Sequence, residues 1–248
     1  MSTTLRVLVA ERCNQGCSFC TARRPRESAE IFARARPHVE EAAAAAPKEL
    51  VLTGGEPTMR GDLEGLIATG GAEGAEVILE TNAALIDESR ARSLFASGLR
   101  VARVHFPAWG DACDVITRDP GGFAATLRGV RALAGAGVAV EASVPLVAAN
   151  RAALPVLAAN LVEHVERVFL VPVLRSPDAG ELLSAPQLAQ AVSDFRAHSG
   201  PLAIKLSPGS FVPPCIFAQP ARFVSLYALT PGGAERSGYQ RQRACAEC

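Results

Sequence analysis

The chain has 248 residues, about half of them apolar, and 25 Lys and Arg balance 25 Asp and Glu for a formal net charge of zero. That balance excludes the basic excess of a nucleic-acid or membrane-surface binder, and there is no run of the roughly 18 apolar residues that a spanning helix needs. The length suits one large domain, or one domain with a small appendage.

Met1-Ser2-Thr3-Thr4 leads straight into an apolar strand pattern with no export signal. Seven cysteines in that setting point to thiol, metal or redox chemistry in a reducing compartment, so a cytoplasmic location is expected. Strand patterns fall at residues 5–10, 49–53, 76–81, 100–106, 138–147 and 167–173. Helix patterns fall between them at 29–46, 62–69, 87–96, 123–136 and 154–162, with a sixth at 185–197. Gly98, Gly137 and Gly200 follow helical runs, where a left-handed residue ends a helix. Asp87 and Ser184 suit the N-cap. Repeated β-α units predict an α/β fold with a parallel sheet. Six units are too few for a closed eight-stranded barrel. An open partial (β/α)6 barrel and a doubly wound sheet both satisfy this periodicity. Either way, the chemistry is expected at the C-terminal strand ends.

The first strand runs into Cys13-Asn14-Gln15-Gly16-Cys17-Ser18-Phe19-Cys20. Eight residues can fold around one small centre and point three thiolates at it, with Gly16 free to turn between the first two. Three thiolates on a four-iron cluster leave one iron open to a ligand. A structural zinc wants four ligands, usually as two close pairs, and no partner pair follows here. The spacing C-x3-C-x2-C with Phe19 before the last cysteine resembles the signature loop of the radical S-adenosylmethionine (SAM) enzymes. The resemblance implies a partial (β/α)6 barrel. It also implies a [4Fe–4S] cluster on Cys13, Cys17 and Cys20, with SAM on the fourth iron. One electron then cleaves SAM to methionine and a 5′-deoxyadenosyl radical, which takes a hydrogen atom from a substrate. A flavodoxin- or ferredoxin-type protein would supply the electron.

The second strand ends at Gly54-Gly55-Glu56-Pro57. Read alone, this is a Gly-Gly turn closed by proline, where glycines permit close backbone approach and Glu56 can accept from an ammonium. It also matches the family's GGEP motif, which implies that Gly54, Gly55, Glu56 and Pro57 hold the SAM amino group. The third strand ends at Thr81-Asn82-Ala83, where relatives often carry Thr-Asn-Gly close to SAM. Ala83 replaces that glycine. After strand four, His105 stands where many relatives place a SAM-contacting serine, and a histidine there can donate or accept near neutral pH. Trp109, the single tryptophan, either covers the cavity or packs beside it. Arg118 matches an arginine near the SAM carboxylate, and Cys113 is read as a free thiol. On strand five, alternation puts Glu141, Ser143 and Pro145 on one face, and Ser143 is the candidate SAM contact.

Residues 201–248 change character, with Pro, Gly and Arg and little periodicity. This segment holds Cys215 and a C-x2-C pair, Cys245 and Cys248. A loop-rich tail buries little apolar surface and would gain order from ligand bonds. It resembles the SPASM and twitch extensions that hold an auxiliary [4Fe–4S] cluster, although the sequence stops on Cys248. Zinc is the competing metal. The expected division is therefore residues 1–200 as barrel and 201–248 as metal-binding extension. The expected activity is hydrogen abstraction from a peptide or protein side chain. A small molecule of cofactor biosynthesis is the alternative substrate. From another class, a non-catalytic iron–sulfur electron carrier also fits the cysteines, but it has no use for a SAM motif.

Overall fold

The computed structural model describes residues 4–20, 29–207, 212–219 and 226. Its strands are β1 (Thr4–Ala10), β2 (Glu49–Gly54), β3 (Glu76–Thr81), β4 (Val101–His105), β5 (Ala139–Leu146), β6 (Arg167–Pro172) and β7 (Ala203–Leu206). The helices are α1 (Ala29–Ala44), α2 (Leu63–Gly71), α3 (Glu88–Ala96), α4 (Asp111–Thr117), α5 (Gly122–Gly135), α6 (Leu154–Leu161) and α7 (Ala185–His198). All six strand pairs are parallel, and the spatial order is β1 through β7 in sequence. A doubly wound sheet reverses its strand order at a switch point. This sheet never does, so of the two architectures the partial barrel is the one formed, with β1 and β7 as its edges.

Alternation along the strands separates two faces. Leu50, Leu52, Leu79, Val104, Val144 and Leu170 are fully buried in one core. That core also takes Leu63, Leu66 and Ile67 of α2, Val130 and Leu133 of α5, and Leu157 and Leu161 of α6. The helical residues recur every three to four positions, so each helix turns one apolar stripe to the sheet. Each such leucine contributes about 1.5–3 kcal/mol on leaving water. The opposite parity faces the lumen of the barrel and carries the polar groups: Arg6, Thr53, Glu80, Arg103, His105, Glu141, Ser143 and Arg167.

Two elements depart from the expectation. After β4, where the sequence shows no helix pattern before residue 123, lies α4, whose seven residues are too few to show a period. It is bounded by Gly110 at φ 65° and Arg118 at φ 54°. The sheet also continues past residue 200. β7 pairs with β6 from Arg167↔Ala203 to Leu170↔Leu206, and Val212, Phe217 and Leu226 join the main core. The first residues assigned to the extension thus complete the barrel. Positive φ at Gly98, Gly137 and Gly200, the Asp87 cap on Arg90 N and the Ser184–Gln187 capping box follow the sequence pattern.

Candidate active site at the mouth of the barrel

The cysteine loop is anchored by backbone. Gly55 N donates to Ala10 O at 2.6 Å and Glu56 N to Arg12 O at 2.7 Å. A Cβ on Gly54 would meet Ala10 O at 2.1 Å, and one on Gly55 would meet Arg12 O at 2.2 Å. Gly54 also has φ 136°. The close approach that demands these glycines is that of the chain's own segment entering the cysteine loop. On its other side, Gly16 N donates to Thr117 O at 2.8 Å and Ser18 N to Ile116 O at 3.3 Å, so the loop hangs from the end of α4. Gln15 Nε2 donates to Asp119 Oδ2 at 3.2 Å. Ser18 Oγ donates to Glu181, whose other oxygen accepts from Ala149 N at 3.1 Å. Phe19 and Cys17 pack with Ala108, Cys113, Ile116 and Val147 in a second apolar cluster.

Cys13, Cys17 and Cys20 are free thiols. Burial, with the neighbouring Cys20 and Cys13, pushes the Cys17 thiol up to about 12, and burial also raises that of Cys13. Neutral thiols are the expected state before metal binding, and iron displaces their protons. Among the described residues no three His, Cys, Asp or Glu side chains close on one point as a finished metal cage. The donor set nonetheless fits a cluster: three thiols free of disulfides in one short loop, with Cys20 near enough to help raise the Cys13 and Cys17 pKa values.

Glu56 lies behind this loop at 1% exposure. Its Oε1 accepts from Thr58 N at 3.0 Å, Thr58 Oγ1 at 2.6 Å and Thr81 Oγ1 at 2.6 Å, and its Oε2 accepts from Asn82 N at 2.7 Å. A carboxylate offers about four acceptor sites, and here the chain itself supplies four donors. Burial raises the Glu56 pKa against the opposing pull of those bonds. The side chain ties the end of β2 to the end of β3. Asn82 extends the tie: its Nδ2 donates to Asn14 Oδ1 at 2.7 Å and lies 3.9 Å from Cys13 Sγ. Pro57 opens the 3-10 turn Pro57–Met59, in which Pro57 and Thr58 are buried. Ala83 occupies the left-handed region at φ 58°, the conformation that the replaced glycine would favour.

His105 and Ser143 are register partners on β4 and β5, facing the lumen. Neither side chain makes a hydrogen bond among the described residues. The His105 ring lies 5.7 Å from that of Phe19. Burial holds its pKa down to about 4, partly offset by Glu80, so the imidazole is neutral at physiological pH. Arg118 is exposed at the C-terminus of α4 and reaches none of these groups. Trp109 packs, stacking on His164 at 5.4 Å and meeting Phe123 edge-on at 4.9 Å. Cys113 is buried behind the cysteine loop, its thiol pushed up to about 12 by burial. Cys215 is an exposed free thiol, while Cys245 and Cys248 lie outside the described residues.

Below the mouth, a ladder of charges runs along the lumen wall from strand to strand. Arg6 pairs with Glu80, which also accepts from Thr53 Oγ1 at 2.8 Å. Arg103 reaches Glu80 at 3.5 Å and Glu141 at 2.8 Å, and Arg167 reaches Glu141 at 3.3 Å. The Arg103 guanidinium also lies 4.1 Å above the Phe169 ring. Three guanidiniums share two carboxylates, and the outer two, Arg6 and Arg167, keep about half of their side chains exposed. Sequence reading found Glu141 but missed Arg6, Glu80, Arg103 and Arg167. The available signal was one charged residue at the same parity in successive strands.

A parallel sheet of sequential β/α units, carrying three thiols beyond β1 and a Gly-Gly-Glu turn beyond β2, defines a SAM-type iron–sulfur barrel. The chain belongs to the radical SAM superfamily, whose family model matches residues 7–149, more than half of the chain. It is 30% identical over 219 residues to a GTP 3′,8-cyclase of Pelotomaculum thermopropionicum, covering 80% of this chain and 64% of that one. It is also 30% identical over 125 residues to an Fe-coproporphyrin III synthase of Methanosarcina barkeri, covering 49% of this chain and 31% of that one. The chain therefore spans about two thirds and one third of these relatives. In fold it is similar to Streptococcus suis SuiB bound to SAM, with TM-score 0.64 and 15% identity, covering 81% of this chain and 49% of that one. It is likewise similar to anSMEcpe with bound SAM, with TM-score 0.62 and 16% identity, covering 78% and 59%. Members of this superfamily use a [4Fe–4S] cluster and SAM.

Proposed function

We propose that the protein cleaves SAM reductively and uses the resulting radical to take a hydrogen atom from a small anionic substrate held in the barrel lumen. When bound, the cluster supplies the electron that splits SAM into methionine and a 5′-deoxyadenosyl radical. Cys13, Cys17 and Cys20 hold it. Gly54, Gly55 and Glu56 fix the loop's entry, and their backbone lines the place where the SAM amino group would sit. Thr81 and Asn82 brace that place from β3. His105 and Ser143 offer unused hydrogen-bonding groups to SAM or substrate. Phe19 and the apolar cluster behind it keep water from the Cys17 thiol.

The observation that carries the substrate class is the ladder, in which three guanidiniums against two carboxylates leave a net positive lumen with Arg6 and Arg167 half open. Guanidiniums bind phosphate and carboxylate bidentately. Among the relatives, a GTP 3′,8-cyclase acts, by its name, on a nucleoside triphosphate, and an Fe-coproporphyrin III synthase forms, by its name, an iron porphyrin. A peptide substrate is the second reading. It draws on neighbours such as SuiB bound to its precursor peptide SuiA, a likeness of fold, and on Cys215, Cys245 and Cys248 as a second metal centre of the extension, a cluster or zinc.

The test is anaerobic reconstitution with iron and sulfide, reduction with dithionite, and measurement of 5′-deoxyadenosine, with and without GTP, coproporphyrin III and short acidic peptides. Expected is SAM cleavage, with the yield raised by an anionic small molecule. No 5′-deoxyadenosine from a protein loaded with about four irons overturns the activity. Stimulation by peptides alone overturns the substrate class.

A further inference from the structure

The surface between α3 and α5 holds a groove of about 760 Å³ that the proposed chemistry does not use. Its upper end is the loop after β3, Ala84 to Ile86, and its floor is apolar, with Ala125 and Ala132 from α5. Leu85 there is 48% exposed. Three arginines rim it: Arg92 on α3, and Arg128 and Arg131 on α5. The acidic groups in its lining are Asp87 and Glu88. Asp87 is occupied capping Arg90 N, and Glu88 pairs with Arg92 at 3.7 Å. Arg128 and Arg131 lie three residues apart on one helix face. Both are exposed and have no carboxylate partner among the described residues. The rim therefore carries three arginines against two carboxylates, a net single positive charge beside an apolar floor, with Arg128 and Arg131 free of ion pairs among the described residues.

The groove also leads to the cysteine loop. Ala84 N donates to Asn82 Oδ1 at 3.0 Å, and Asn82 Nδ2 lies 3.9 Å from Cys13 Sγ. One hydrogen bond, one side chain and one contact connect the groove wall to a thiol of the cluster loop. α5 braces this wall, with Thr126 Oγ1 donating to Asn82 O at 2.9 Å. A Cβ on Gly129 would meet Ala83 O at 2.0 Å, so helix and loop touch there.

We propose that the groove between α3 and α5 is the docking site of a small acidic electron donor of the flavodoxin type. This rests on the proposed reading of the three cysteines as a cluster that must be reduced. In the exchange one electron leaves the donor's reduced flavin, which is oxidised by one equivalent, and the cluster is reduced by one. No bond breaks in this chain. Redox encounters use small interfaces, and paired opposite charges steer them. The uncommitted arginines supply the steering, and the apolar floor receives the uncharged rim of the flavin ring.

The experiment uses reconstituted protein, an acidic flavodoxin, and the variants Arg128→Glu/Arg131→Glu and Arg128→Ala/Arg131→Ala. Lys48→Glu, exposed at the opposite end of the barrel, is the control. Flavodoxin affinity is measured by calorimetry at about 20 mM and about 500 mM salt. The double Glu variant should bind at least about tenfold more weakly at low salt, the Ala variant less so, with the difference shrinking at high salt. Lys48→Glu should match the wild type. Equal affinity of wild type and double Glu variant overturns the proposal, as does groove-dependent binding of a ferredoxin alone. Dithionite-driven 5′-deoxyadenosine formation should be unchanged in every variant. Its absence in the wild type refutes the cluster reading, whereas the affinities report on the groove.

Discussion

On the β1–β3 side of the mouth, Glu56 accepts four hydrogen bonds from its own chain, and Asn82 links β3 to Asn14 beside Cys13. On the β4–β5 side, His105 and Ser143 sit side by side in register with no hydrogen bond among the described residues. Buried polar groups without partners are costly, so the second side keeps its groups at the lumen surface, where a ligand can meet them. The contrast separates two tasks. One side holds a loop in one geometry, and the other is left open to whatever enters. A residue can therefore matter to SAM chemistry through the loop it holds, and Glu56 ties the ends of β2 and β3 behind that loop.

Four measurements break or sharpen that contrast. The largest effect is expected at the loop being held. Replacing Cys13, Cys17 and Cys20 with alanine should abolish 5′-deoxyadenosine formation and remove about four irons per chain. Product at the wild-type rate would refute the assignment.

Next is Glu56→Gln, which puts an amide N–H₂ against donors already in place. It should cost about 2–4 kcal/mol and lower the melting temperature by roughly 5–15 °C. A variant with unchanged melting and a weakened SAM affinity would make the carboxylate a ligand group and dissolve the contrast.

The open side should respond to pH. His105 has a folded pKa of about 4 against an ordinary 6.5. Between these values the unfolded chain binds the extra proton, so the contribution of this one group is complete above pH 6.5 and declines as pH falls toward 4, by up to about 3 kcal/mol. Denaturant titrations of the wild type and His105→Gln across this range should show stability falling more steeply toward acid in the wild type, the difference between the two being the His105 contribution. A common slope would assign it elsewhere.

Smallest are the single-atom changes. Ser143→Ala should shift stability by less than about 0.5 kcal/mol yet weaken SAM or substrate binding by roughly three- to tenfold. A large loss of stability with unchanged binding would place Ser143 among the tied groups. Ala83→Gly exchanges left-handed strain for chain entropy, and the two terms of about 1 kcal/mol nearly cancel.

The fold was legible wherever the pattern was long. Strands on both sides of the mouth matched within a residue or two, because their outer faces alternate Leu and Val against lumen groups over five or more positions. The misses are short or non-local. α4 spans seven residues after Gly110, and β7 spans four after Pro201 and Leu202. The cysteines and the Gly-Gly-Glu turn were visible because their chemistry is written in consecutive residues. The Arg6–Glu80–Arg103–Glu141–Arg167 ladder was hidden because its members lie tens of residues apart and meet only across neighbouring strands. Glu56 was found, but its four hydrogen bonds were not legible, since the donors come from Thr58, Thr81 and Asn82 and only folding brings β3 to it.

The edges at β1 and β7 have a further consequence. In a closed barrel, strand number and shear fix the radius, and any widening must break a row of backbone bonds. Here the described strands meet no such closure. The wall can flex along its seam with every interstrand bond intact. The ladder follows that wall from β1 to β6 without bridging β1 to β7, so the seam is left to side chains and to any guest that bridges it.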